Sequence, residues 1–223
     1  MTAKNIRVYR DLMGENEKWA RASRDLLRER RLAMLNLIGA PGCGKTSLLE
    51  RTTRDLGGRL RLGVLEGDVE TTHDAQRIQK LGIPVSQLLT GGACHLEAKL
   101  VYVALRDLPL DQLDLVVVEN VGNLVCPAEF DIGENAKVAV LSVTEGEDKP
   151  LKYPLLFREC LAVVLTKTDL LPHLTFNMNA CLKYLRQVNA TVPVFPLSAV
   201  TGEGVAEWIE WVLKARGAKP AAP

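Results

Sequence analysis

The sequence predicts an α/β fold, a mostly parallel sheet with helices on both faces, of the P-loop NTPase kind. Three observations predict it. The segment Gly39-Ala40-Pro41-Gly42-Cys43-Gly44-Lys45-Thr46 fits the phosphate-binding pattern G-x-x-x-x-G-K-S/T at every fixed position. Continuous apolar runs, not alternating ones, recur along the chain, as in strands covered on both faces. Helical spacings separate those runs, and this alternation builds a parallel sheet with ligands at the carboxyl ends of its strands.

The chain has 223 residues and 47% apolar content, enough for one well-cored domain. Residues 1–31 form a charged lead-in. There Leu12, Trp19, Ala22, Leu26 and Leu27 recur roughly at helical spacing among Lys18, Arg21, Arg24, Arg28, Arg30 and Arg31, predicting an amphipathic helix packed on the core. The core domain then spans 32–216, and the tail 217–223 is expected to fray. A formal charge of +1, from 28 basic and 27 acidic residues, argues for neither a nucleic-acid nor a membrane partner. No apolar run approaches the roughly 20 residues of a membrane helix, and the first residues lack the apolar stretch of a signal peptide. A cytoplasmic location is expected, where the five scattered cysteines remain thiols.

The first strand is the run 33–38, and a helix starts behind the loop near Ser47. Glycines 39, 42 and 44 let the backbone turn tightly, so that N–H groups and a helix N-terminus meet phosphate oxygens. Ala40, Pro41, Cys43 and Ser47 complete the cradle. Lys45 is placed to reach the β- and γ-phosphates and Thr46 to give its hydroxyl to Mg²⁺. A glycine-rich turn without a ligand is the alternative, and the agreement of strand, loop, Lys-Thr pair and helix speaks against it.

Further strands are read at 62–66, 113–119, 137–143, 161–166 and 192–197, with helical patterns at 96–105, 176–188 and 205–212. No internal repeat is found. The run 113–119 ends on Glu119-Asn120-Val121-Gly122, where an acidic residue can hold Mg²⁺ and the Gly122 N–H can follow the γ-phosphate. Asp68 and Asp74, past the second strand, are further Mg²⁺ or water-positioning candidates. For each of these two alone, capping or surface charge fits as well.

At the end of the fifth strand stands Thr166-Lys167-Thr168-Asp169. GTP-binding proteins have Asn-Lys-x-Asp there, the Asp accepting from guanine and the Lys stem covering the ring. Asp169 and Lys167 are in place, and Asn has become Thr166. Ser198-Ala199 after the last strand matches the segment whose backbone meets guanine O6, so GTP is favoured over ATP.

A second constellation lies outside ordinary nucleotide chemistry: Gly91-Gly92-Ala93-Cys94-His95, and Cys126-Pro127 just beyond Gly122. Thiolates with an imidazole suit Zn²⁺ or Ni²⁺. One chain offers three such ligands, so a four-coordinate site needs a water or the same residues from a second copy, which favours a two-fold dimer. Singly, each cysteine reads as a buried small hydrophobe, and Cys43, Cys160 and Cys181 keep that reading. His73 and His173 have no soft neighbour in sequence.

These segments resemble the nickel-insertion GTPases of nickel-iron hydrogenase maturation, the HypB family, within the dimerising SIMIBI-type P-loop class that also contains the urease accessory GTPase. The resemblance runs from about residue 34 to 211. It is carried by the P-loop, by Glu66-Gly67-Asp68 with Asp74-Ala75-Gln76-Arg77, by Thr90-Gly91-Gly92-Ala93-Cys94-His95-Leu96-Glu97-Ala98, by Glu119-Asn120-Val121-Gly122-Asn123-Leu124-Val125-Cys126-Pro127, and by Val143-Thr144-Glu145-Gly146-Glu147-Asp148-Lys149-Pro150. It implies slow GTP hydrolysis to GDP, dimerisation promoted by GTP, and a metal site at the dimer interface on the residues matching Cys94, His95 and Cys126. It further implies nickel transfer with a small zinc-containing partner, HypA, toward the hydrogenase large subunit. Some members carry an N-terminal Cys-x-x-Cys-Gly-Cys site or a His-rich tract, and this sequence has neither.

Other readings remain open. A P-loop kinase of a small metabolite is monomeric, prefers ATP and has no use for Cys94 or Cys126. A vestigial nucleotide site in a scaffold conflicts with the intact Lys45-Thr46 pair. A urease-type accessory typically has Cys-Pro-His together, whereas here Cys94-His95 and Cys126-Pro127 are separate.

Overall fold

The computed structural model describes residues 3–68 and 73–216, with the backbone alone for 3–12 and 73. The tail 217–223 and the side chain of Leu12, both read above, lie outside the described residues. The elements in chain order are α1 (Ala3–Glu29), β1 (Ala33–Gly39), α2 (Lys45–Leu56), β2 (Leu62–Asp68), α3 (His73–Gln79), β3 (Val85–Leu89), α4 (Ala98–Leu105), β4 (Leu115–Glu119), α5 (Cys126–Glu129), β5 (Ala136–Ser142), α6 (Lys149–Lys152), α7 (Pro154–Glu159), β6 (Ala162–Thr166), α8 (Met178–Val188), β7 (Val194–Pro196) and α9 (Val205–Ala215).

All seven positions of β1 are buried, and this strand sits inside a sheet of order β3-β2-β4-β1-β5-β6-β7. Every pairing is parallel. The chain winds to one side of β1 for β2–β4 and to the other for β5–β7, so the crevice at the carboxyl end of β1 is where an open parallel sheet takes ligands. Period-two alternation divides the sheet into two faces. Leu35 and Leu37 join Leu48, Leu49 and Trp208 under α2 and α9, while Met34, Val116 and Val118 join Leu27 of α1 and Val101 and Leu105 of α4. Beyond β1, Ala139, Leu141 and Val163 pack with Phe157, Cys181 and Leu185 of α7 and α8. The buried Trp208 indole donates to the Thr52 hydroxyl at 2.8 Å, so its polar edge is satisfied where its ring fills the core. Truncating such a side chain to Ala costs about 3–5 kcal/mol.

β3 is the strand the sequence reading lacks. Only Leu88 of its five residues is buried, because it is an edge strand covered on one side, and it therefore leaves no continuous apolar run. The last strand is shorter than the apolar run 192–197, its other edge position again limiting the pairing to Val194–Pro196. Among the described residues no helix is long and apolar enough to cross a membrane.

Candidate nucleotide and metal site

The loop between β1 and α2 closes with Gly44 at φ 98°, a left-handed conformation that only glycine adopts without strain. It starts α2 with its first N–H groups facing the crevice, where a helix terminus binds anions. Lys45 and Thr46 are buried. The Lys45 ammonium donates to the carbonyls of Gly39 and Ala40 at 3.3 and 3.4 Å. A cleft of about 460 Å³ opens over this loop, and Lys45, Thr46, Asp68, Glu119, Gly122 and Lys167 all line it.

Glu119 ends β4 beside the loop, and its Oε1 accepts from the Thr46 hydroxyl at 2.7 Å. Its register partner on β2 is Glu66, a cleft residue not singled out from the sequence. Its signal was the same as that of Glu119, an acid closing an apolar strand. Burial pushes the Glu119 carboxyl up to about 7, and burial with the charge of Glu119 pushes Glu66 up to about 8. Glu66 Oε2 and Glu119 Oε2 are both buried without a hydrogen-bond partner. Two orphaned carboxylate oxygens next to a threonine hydroxyl make a hard, oxygen-lined position, so the donor set fits Mg²⁺. Asp74 opens α3 at the rim and pairs with Arg77, whose guanidinium also holds Glu50 and reaches Ser47 Oγ at 3.3 Å. Arg77 is a second cleft residue that was quoted in a motif without a role.

At the β6 end the hydroxyl of Thr166, the residue in the Asn position, donates to the Cys43 carbonyl at 2.5 Å and so braces the loop. Lys167, at φ 62°, donates to the Gly42 carbonyl at 2.7 Å. Asp169 lies one turn on, in a short 3₁₀ helix (Thr168–His173). Ser198 is buried and its Oγ accepts from the N–H groups of Val200 and Thr201 at 3.2 and 3.1 Å, while Arg51 donates to the Ala199 carbonyl at 3.4 Å. Asp169, Ser198 and Ala199 do not line the phosphate cleft. They belong to the neighbouring ends of β6 and β7. Gly39, Ala40 and Cys43 also lie behind the lining, and burial pushes the Cys43 thiol up to about 11.

Gly122 packs on the loop itself. A Cβ there would stand 2.9 Å from Pro41 Cγ and 3.0 Å from its backbone, so only glycine permits this approach. Four residues on, Cys126 starts α5, and its sulfur lies 2.8 Å from Cys94 Sγ. His95 Nδ1 is 3.7 Å from Cys94 Sγ, and the ligand atoms of the three residues all fall within 4.8 Å of one another. The imidazole stacks on Phe130 at 3.9 Å, and burial holds its pKa below the ordinary value. Asn123 joins the two loops: its amide donates to the Cys94 carbonyl at 3.1 Å, and its Oδ1 accepts from Val125 N at 2.9 Å. Two thiols and a neutral imidazole in this arrangement suit a soft or borderline divalent metal.

Behind residues 119–122 runs a buried polar chain. Val121 N–H donates to Asn120 Oδ1 at 2.9 Å, Asn120 Nδ2 to Asn36 Oδ1 at 3.1 Å, and Asn36 Nδ2 to Glu134 Oε1 at 3.2 Å. Glu134 Oε2 in turn accepts from Ile132 N at 2.8 Å. Asn16 of α1 donates to the Asp131 carbonyl at 2.7 Å and accepts from Ala98 N at 2.9 Å, so the leading helix ties this loop to the segment that follows His95.

A family model described as the CobW/HypB/UreG nucleotide-binding domain matches residues 33–196. The hydrogenase maturation factor HypB of Azotobacter vinelandii is 50% identical over 214 residues, covering 96% of this chain and 71% of that protein. This chain belongs to the HypB family. The Escherichia coli K12 HypB is 45% identical over 93% of this chain and 71% of its own length. The crystal structure of HypB from Helicobacter pylori in complex with nickel matches with a TM-score of 0.88 at 31% identity, covering 93% of this chain and 98% of that one. Members of this family share the nucleotide-binding domain that the cradle here builds.

Proposed function

We propose that the chain is a GTP-hydrolysing metallochaperone that delivers nickel during nickel-iron hydrogenase maturation. One observation carries the reading: the loop that packs Gly122 on Pro41 of the phosphate cradle also delivers Cys126 to the sulfur of Cys94. GTP occupies the cleft with its phosphates on residues 39–47, and Asp169, Lys167, Ser198 and Ala199 select guanine. Thr46, Glu119 and Asp68 would hold Mg²⁺, which would supply neutralisation of charge on the β- and γ-phosphates. Lys45 leaves the loop carbonyls to meet the same oxygens. Gly122 follows the γ-phosphate, and its loop relaxes on hydrolysis.

Nickel is the cargo, held by Cys94, His95 and Cys126, and zinc competes for the same donors. Three ligands per chain favour a dimer promoted by GTP or metal, with the site at its interface. The partners are a HypA-like zinc-containing nickel chaperone and, through it, the hydrogenase large subunit, in the cytoplasm. Residues 32–216 act as the GTPase domain, with 1–31 as its helical lead-in. A relative from Helicobacter hepaticus, 36% identical over 97% of this chain, is named a hydrogenase/urease maturation factor, which keeps urease as a second destination for the same cargo.

The test is a titration of Ni²⁺ into the GDP-bound and GTP-analogue-bound protein. The two affinities are expected to differ by roughly 5–150-fold, and by linkage nickel shifts nucleotide affinity by the same factor. Equal affinities would remove the coupling, and a strictly monomeric protein in light scattering under all conditions would remove the dimer.

A further inference from the structure

Cys94 and Cys126 are presented by different loops, yet their sulfurs lie 2.8 Å apart. An approach of roughly 0.8 Å separates that distance from a disulfide bond of about 2.05 Å. Cys94 is exposed and Cys126 half-buried, whereas Cys43, Cys160 and Cys181 are buried. Burial shields those three sulfurs from reagents in water. Reactivity therefore concentrates on one pair. That pair spans 32 residues of sequence, joining the segment before α4 to the loop that follows Gly122.

We propose that Cys94 and Cys126 are a redox modification site, closing to a reversible intramolecular disulfide with a small-molecule disulfide such as glutathione disulfide as the oxidant. One cysteine thiolate attacks a sulfur of the oxidant, whose S–S bond breaks and releases the first small thiol. The second cysteine then attacks the protein-side sulfur of the mixed disulfide, forms the Cys94–Cys126 bond and releases the second small thiol. The protein loses two electrons and two protons, and both pass to the oxidant. The 2.8 Å separation makes the second attack intramolecular and fast, so the mixed disulfide does not accumulate.

The bond has two consequences. It ties the loop after Gly122 to the segment before α4, which restrains the loop movement proposed above for GTP hydrolysis. It also removes both thiolates from the cluster, so oxidation and metal loading exclude one another; this second consequence rests on the metal assignment proposed above.

The full chain, freed of metal and nucleotide, is incubated in glutathione buffers of increasing oxidised fraction, then read by intact mass, free-thiol titration and peptide mapping. The expected result is a loss of about 2 Da, a fall from five free thiols to about three, and a linked peptide containing Cys94 and Cys126, all reversed by dithiothreitol. Cys94→Ser and Cys126→Ser should each abolish the linkage and leave a single glutathione adduct at the remaining cysteine. Stable mixed adducts on both cysteines of the wild type, links between chains, or a link involving Cys43, Cys160 or Cys181 would overturn the proposal. Preloading with Ni²⁺ should slow oxidation at least about tenfold, and oxidised protein should bind Ni²⁺ at least about tenfold more weakly. If the disulfide forms while Ni²⁺ neither protects nor loses affinity, the modification stands and the metal assignment falls.

Discussion

The phosphate cradle and the thiol cluster lie at the same carboxyl end of the sheet and are held in opposite ways. In the cradle the groups presented are largely backbone, with Lys45 and Thr46 buried. Thr166 and Lys167 grip the loop from β6 through the Cys43 and Gly42 carbonyls. In the cluster the donors presented are side chains. Cys94 is exposed, and one asparagine, Asn123, bridges the two loops. A ligand that is consumed in place needs a fixed mould, while a cargo that must leave needs donors open to solvent on segments free to part.

Lys45→Ala is the sharpest way to break this comparison. Phosphate release from GTP is expected to fall at least about 100-fold, since the variant lacks the cation facing the transferred group. Nickel affinity without nucleotide should not change; if it does, the two regions are not held independently. Conversely, Cys94→Ala or His95→Ala should weaken nickel binding at least about tenfold in calorimetry. Fluorescent-GDP affinity should stay within about twofold, because neither side chain reaches the cradle.

Gly122→Ala tests the joint. The added methyl meets Pro41 at 2.9–3.0 Å, so the loop must withdraw from the cradle, and hydrolysis is expected to drop roughly tenfold with a change in nickel affinity beside it. A change confined to one activity would show that the loop does not connect them.

The smallest effect concerns Glu66. Its folded carboxyl is raised from 4.5 to about 8, first by burial and then by the Glu119 charge. Between these values the nucleotide-free fold keeps a proton that the unfolded chain has released. Its stabilising contribution is therefore complete below about pH 4.5 and is lost as pH rises through about 8. Glu66→Gln should flatten that decline, raising the melting temperature at pH 9 by roughly 2–4 °C per kcal/mol recovered. No change in the pH slope would mean that the carboxyl titrates normally.

The frame of the molecule was legible because buried parallel strands write themselves as apolar runs, and the cradle because its glycines and Lys45-Thr46 sit at fixed spacing. β3 was not, since an edge strand with one buried residue has no such signature. Cys94 follows β3 and Cys126 follows β4, two strands with β2 between them, so the approach of the two sulfurs, the stacking of His95 on Phe130 and the role of Asn123 depend on loop conformation, which periodicity does not encode. Thr166 is instructive. Sequence marked it as a departure from the guanine motif, and the structure shows its hydroxyl bonded to the Cys43 carbonyl, bracing the loop. Arg77 and Glu66 were visible as letters, yet only the parallel register that sets Glu66 against Glu119 places it in the cleft.

The Val121 amide gives the switch loop a clock. Its N–H is closed off by Asn120 Oδ1 on a buried residue, and Asn120 is anchored in turn to Asn36 inside the sheet. Such an amide takes up deuterium only during the moments when the loop lifts away. The exchange rate at this one position therefore counts openings per unit time, and comparing it between GDP-bound and GTP-analogue-bound protein measures how long each nucleotide keeps the loop shut.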